Sequence, residues 1–201
     1  MTDFKPNPLI SRGVPAYSSA GQTPASVANN GIYSSFWMEN TPVSITYDLS
    51  SIPEKLRNNV VAVWYTACTY DRIGAYVSQN MLPTDYTVEV NSAIGGCLPI
   101  NSWEIVETVK NNTFGSRQHI VDMTGFNWFR LNFSKADGKI GNPVSLNLDI
   151  HSAADGICDN WLFLGDSITT FYSENSEINF LEINNNIFTI VTDNKIRIYE
   201  K

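Results

Sequence analysis

Charge is scarce in this chain. Only 16% of its 201 residues are Asp, Glu, Lys or Arg, and 13 basic residues face 20 acidic ones, for a net charge of −7. With no Lys/Arg patch to offset that balance, binding to a nucleic-acid phosphate backbone is excluded. Histidine is nearly absent, and His119 and His151 stand far apart without cysteine support, so no zinc motif forms. The three cysteines, Cys68, Cys97 and Cys158, lack a Cys-x-x-Cys spacing, which argues against zinc and against a disulfide framework. They are expected as small buried hydrophobes, with a Cys68–Cys97 bridge as the alternative. No apolar run of about 18 residues occurs, so no membrane-spanning helix is expected. The start, Met1 to Pro6, has no apolar run of the signal-peptide kind, which leaves a cytoplasmic protein or a missing export signal open. A sustained 3.6-residue period is missing too.

What is present is alternation. Val43, Ile45, Tyr47 and Leu49 alternate with polar residues, and Tyr86, Val88 and Val90 do the same. Val60 to Tyr65 is dense in β-formers and reads as a central strand. Trp103–Val109, Gln118–Met123, Trp128–Phe133 and Val144–Ile150 continue the pattern. Asn29-Asn30-Gly31, Asp137-Gly138 and Gly141-Asn142-Pro143 supply turns, and 91–102 is a loop by composition. Ile52 to Arg57 allows one helical turn opened by Pro53. The first 30 residues, with four of the nine prolines, read as an extended lead-in holding at most one short strand. Seven or so short strands between turn-rich loops predict an all-β fold, an antiparallel β-sandwich of the jelly-roll kind.

The stretch Trp161–Thr169, with Gly165-Asp166-Ser167-Ile168, has an apolar run entering a tight turn ahead of a serine. It resembles block I of the SGNH (GDSL-type) esterases and lipases. By that resemblance Ser167 is the nucleophile position. A serine needs a base to take its proton, and both histidines precede Ser167. The resembled family's later Gly, Gly-x-Asn-Asp and Asp-x-x-His blocks do not follow, so no more than trace hydrolysis is expected. Upstream, an ordered set runs from Asn30-Gly31 and Trp37 through Tyr47-Asp48-Leu49-Ser50, Trp64-Tyr65 and Leu82-Pro83-x-Asp85-Tyr86. It continues with Ser116-Arg117-Gln118-His119, Asn127-Trp128-x-Arg130 and Leu146–His151. The set resembles the galactose-binding-like, discoidin-type jelly roll placed before some bacterial GDSL-type esterase domains. That resemblance implies a noncatalytic carbohydrate-binding module over 1–155, followed by the start of a hydrolase domain and an atypical tail over 156–201. The tail is Asn- and Ile-rich without Gly or Pro after residue 170, as a frameshift or early stop would leave it, or as one or two extra strands would require.

A sugar site needs aromatic rings for the apolar face of a pyranose and a few polar groups for its hydroxyls. The five tryptophans, Trp37, Trp64, Trp103, Trp128 and Trp161, lie in or beside strand runs and are expected in the core. The ligand candidates are therefore loop residues, Tyr33, Tyr70, Asp71, Arg72 and Tyr76, with Arg117 and His119 beside a strand. Arg117 and His119 either hold sugar hydroxyls or form a structural hydrogen-bonding pair. No cofactor is implied. Calcium is a candidate through Asp48, Asp71, Asp122 and Asn147, although sequence does not assemble its six to eight oxygens. The expected partner is an oligo- or polysaccharide, not nucleic acid or membrane. Ester hydrolysis at Ser167 is one alternative, and self-association through a sheet edge or the β-prone tail around Ile187–Val191 is another.

Overall fold

A computed structural model describes residues 9–32, 35–66, 68–70, 76–79, 81–154, 180–184, 187–192 and 195–200. The chain divides into two compact units, Asn7–Asp155 and the remainder. The first is a two-sheet antiparallel sandwich. One sheet orders β1 (Ala16–Ser18), β3 (Val43–Asp48), β10 (Trp128–Ala136), β7 (Pro83–Asn91) and β8 (Glu104–Val109) side by side. The other orders β2 (Trp37–Asn40), β11 (Pro143–Ser152), β4 (Asn59–Tyr65) and β9 (Ser116–Asp122). A separate hairpin pairs β5 (Cys68–Tyr70) with β6 (Tyr76–Gln79). The expected fold class is the observed one. In the second unit β12 (Phe180–Asn184), β13 (Ile187–Thr192) and β14 (Lys195–Glu200) form an antiparallel meander. The sequence reading allowed one or two strands there; three are present.

Alternation explains why these segments pair. The β-propensity of Val, Ile, Tyr and Phe favours strands, and the two-residue period puts one set of side chains inward. Ile45, Tyr47, Val88, Val90, Phe129, Leu131 and Phe133 from one sheet meet Trp37, Val60, Ala62, Trp64, Leu146, Leu148 and Ile150 from the other, all fully buried. Rings interlock at the centre, Phe133 lying 6.2 Å from Trp37 and 5.5 Å from Tyr86. Tyr47 carries its hydroxyl across the interior to donate to the Leu148 carbonyl at 3.0 Å. Burial, with Asp149 adding to it, pushes that phenol well above its ordinary acidity range.

Strand β11 departs from simple alternation because both of its faces are covered. The lead-in docks against it: Leu9 bridges His151, Ile10 N–H donates to the Ile150 carbonyl, and Ile150 N–H donates to Ser11 Oγ. The buried Asn29 side chain then donates to the Ser11 and Val14 carbonyls, tying the 3-10 turn Ala25–Asn29 to that segment. The turn that follows needs Gly31 because its φ of +83° strains any residue with a Cβ. At the far end of β3, Asp48 accepts from the backbone N–H groups of Ser50 and Gly96, which seats the 92–103 loop on the sheet edge. Gly95 leaves room for that approach, because a Cβ on it would meet Ser50 Oγ at 1.7 Å.

Two expectations need correction. Trp37, Trp64 and Trp128 are fully buried, but Trp103 is only half-buried just before β8, with the Arg130 guanidinium 3.8 Å from its ring centre. The cation–π contact and the polar end of its indole, which donates to the Pro99 carbonyl, hold it on the surface. Cys97 is free and exposed rather than buried, because it sits in the 92–103 loop. Trp161 and Cys158 lie outside the described residues.

The packing predicts a sharp contrast between two apolar truncations. Phe133→Ala should cost roughly 3–5 kcal/mol, from lost burial and the cavity left between rings. Ile120→Thr, at a position 78% exposed, should stay within about 0.5 kcal/mol. Urea denaturation measures both, and a Phe133→Ala loss below about 1 kcal/mol would show that the interior repacks freely.

Candidate functional site

The two sheets leave an open side where edge strands β8 and β9 face each other, and polar groups close it. Alternation along β9 turns Arg117, His119 and Val121 to one face, the inner one. A bulge near Val106 resets β8, so Glu107 stands opposite Val88 on the inner face of its own sheet. The result is a continuous hydrogen-bonded chain. Trp64 Nε1 lies 3.0 Å from the Tyr86 hydroxyl, which is 3.1 Å from His119 Nε2, and His119 Nδ1 is 2.6 Å from Glu107 Oε2.

The donor pattern follows from what each group can do. An indole N–H only donates, so Tyr86 accepts from Trp64 and turns its own O–H to His119 Nε2. The imidazole proton then sits on Nδ1 and is donated to Glu107. Burial holds His119 below its ordinary acidity constant, Glu107 opposing that direction and Arg117 assisting it. Burial likewise pushes the Tyr86 phenol well above its usual range.

Access narrows along this chain. The His119 side chain is 1% exposed, whereas Glu107 is 40% exposed and opens onto the surface. Arg117, half-buried, lies 3.5 Å from Asn112 Oδ1. Asn112 is buried and pins the 110–115 loop, donating to the Pro83 and Phe114 carbonyls and accepting from Phe114 N–H. On that pinned loop Phe114 is 66% exposed. The root of the β5–β6 hairpin is fastened to the same loop, with Thr66 N–H donating to the Gly115 carbonyl at 2.8 Å. A neighbouring turn is locked by Asp137, whose carboxylate accepts from Met81 and Leu82 N–H. The β8–β9 edge and the loop that joins these strands thus present an exposed ring, a carboxylate and a guanidinium.

The sequence-predicted residues divide accordingly. Arg117 and His119 share one face of β9, but His119 is sealed and reaches the surface only through Glu107. The backbones of Tyr70 and Tyr76 pair across the hairpin. Tyr33, Asp71, Arg72 and Ser167 lie outside the described residues. The calcium candidates do not meet: Asp122 pairs with Asn59 and Asn147 with Tyr65, at opposite ends of β4. Asp48 is occupied by two N–H groups, and Asp71 is outside the described residues. Among the described residues no three His, Cys, Asp or Glu side chains gather to hold a metal. Glu107, Asn112 and Phe114 were missed by the sequence reading. Phe114, an aromatic among Asn, Thr, Gly and Ser, was the available signal.

A pH dependence of stability follows from the two histidines. Burial lowers both His119 and His151 from the ordinary 6.5, so the unfolded chain takes up the proton more readily than the fold does. Their contribution is complete above about pH 6.5 and declines as the pH falls below it. Tm measured from pH 7.5 down to 5 should drop, with a shallower slope in His119→Asn; a flat profile would contradict the assignment.

No protein-family model matches the chain, and no curated protein does. Solved structures do. Chitosan-binding module 1 of a chitosanase/glucanase from Paenibacillus sp. IK-5 matches with a TM-score of 0.51 at 15% identity, over 72% of this chain and 98% of that one. Chitosan-binding module 2 of that enzyme, solved in complex with chitotriose, matches with a TM-score of 0.50 at 15% identity, over 71% and 99%. Likeness at this identity shows a shared sandwich fold.

Proposed function

We propose that the sandwich is a noncatalytic carbohydrate-binding module, with its ligand at the 110–115 loop that joins β8 to β9. The observation that carries this reading is the exposed Phe114 ring on a loop pinned by Asn112, whose side chain also meets Arg117, in the connection between β8, which carries Glu107, and β9. An aromatic face packs against the C–H groups of a pyranose, while a carboxylate and a guanidinium take its hydroxyls as donors and acceptors. Because the loop is already fastened by Asn112, little ordering is lost when a sugar docks. Tyr33, Tyr70, Asp71, Arg72 and Tyr76, the loop candidates named from the sequence, belong to the same reading. Both structural neighbours are chitosan-binding modules, one of them in complex with chitotriose, which supports the ligand class. The Gly165-Asp166-Ser167-Ile168 run supports a finer reading, in which the module served an SGNH-type ester hydrolase.

A glycan array with the full chain, followed by calorimetry on the hits and on chitotriose, tests the proposal. Phe114→Ala and Arg117→Ala should each weaken binding about tenfold or more, equal to about 1.4 kcal/mol. The Tyr70→Ala/Tyr76→Ala pair should weaken it if the hairpin takes part. An array without a hit, or a hit indifferent to Phe114 and Arg117, would remove the site from consideration.

A further inference from the structure

We infer that His119 is a positioning residue for Glu107: its Nδ1–H fixes one carboxylate oxygen so that the other is aimed at a sugar hydroxyl, and its protonation weakens the ligand site. The inference rests on the ligand reading above. Its geometric basis is a buried imidazole with a partner at each nitrogen, 2.6 Å to Glu107 Oε2 and 3.1 Å to the Tyr86 hydroxyl. The groups facing it are few. Glu107 comes from β8, Tyr86 from β7, Arg117 from its own strand, and Ala62 and Trp64 from β4, which add no titrating group.

Neutral His119 satisfies every member of the chain. Trp64 donates to Tyr86, Tyr86 donates to Nε2, and Nδ1–H donates to Glu107. A second proton has nowhere to go but Nε2. The Tyr86 oxygen would then face two donors, and its own O–H, buried with the ring, would lose its acceptor. At the outer end the imidazolium would draw Glu107 into an ion pair and reduce the acceptor strength of the oxygen left for a ligand. Acid therefore acts on the exposed carboxylate through a group that a ligand never touches. A merely structural histidine would affect stability alone; a positioning histidine affects the pH profile of binding as well.

Two measurements on the full chain decide this. In a long-range 1H–15N imidazole spectrum at pH 7.5, His119 should show a protonated Nδ1 and a bare Nε2, and Glu107→Gln, at an exposed position, should shift the Nδ1 resonance. An Nε2–H tautomer, or an Nδ1 signal indifferent to Glu107→Gln, would overturn the positioning role whatever the protein binds. The second measurement is calorimetry with N-acetylchitotriose, which has no titrating amine. Wild type should bind more weakly at pH 5.0 than at pH 7.5, the loss growing as the pH falls. His119→Asn places an amide N–H where Nδ1–H stood and does not titrate, so its affinity should stay constant over that range. Equal wild-type affinity at both pH values would overturn the link to acid. No binding of this probe at pH 7.5 would instead sink the ligand arm, while the imidazole spectrum still decides whether His119 orients Glu107.

Discussion

Tyr47, Trp64 and Tyr86, buried between the two sheets, have polar ends, and each of those ends has a partner, whereas the indole N–H of the equally buried Trp37 has none among the described residues. A buried hydroxyl or indole N–H without a partner costs on the order of 1–3 kcal/mol, enough to matter against the small net stability of a domain. Tyr47 meets this demand by reaching a carbonyl of the opposite sheet. Trp64 and Tyr86 meet it by pairing with each other and passing the requirement on to His119 and Glu107. The chain of partners ends only where water is available, at the open side between β8 and β9. Interior packing and surface chemistry are therefore parts of one network.

That continuity gives the candidate site its particular character. Glu107 is held from behind by a buried group, because His119 sits in a regular ladder opposite Ala62 and packs edge-on against the Tyr86 ring. The loops in front are held by backbone-directed side chains, Asn112 for 110–115 and Asp137 for the turn beside it. An exposed ring on a mobile loop would have to be ordered at the expense of affinity; Phe114 needs little further ordering. The other face of the five-stranded sheet shows the contrasting case. There Glu89 takes hydrogen bonds from Arg130, Asn132 and Thr87, and Arg130 stacks on Trp103, so the groups satisfy one another across neighbouring strands.

The strands were legible from sequence because their cause is local. A two-residue period over Val43–Leu49, Tyr86–Val90 and Trp128–Phe133 requires one apolar face, and the inward residues named from that period are buried. β2 was not recognised. Its four residues, Trp37 to Asn40, alternate too briefly to stand out, and the strand exists because β11 offers an edge to pair with. The hairpin within 66–82 was missed for a similar reason, since three- and four-residue strands depend on their pairing more than on their own composition. Trp103 and Cys97 were misplaced because hydrophobic type predicts burial only on average.

Alternation and turn residues in the sequence by themselves determined an all-β chain folded as an antiparallel sandwich, together with the inward face of most strands. Each of those depends on residues within a few positions of one another. Only the tertiary structure decided which polar groups meet. His119 and Glu107 lie 12 residues apart, and Tyr86 lies 33 from His119, and each belongs to a different strand. Their meeting depends on a bulge in β8, on the two sheet edges coming together and on the need to satisfy a buried tyrosine. No local pattern encodes that combination, because it comes from packing one sheet on the other.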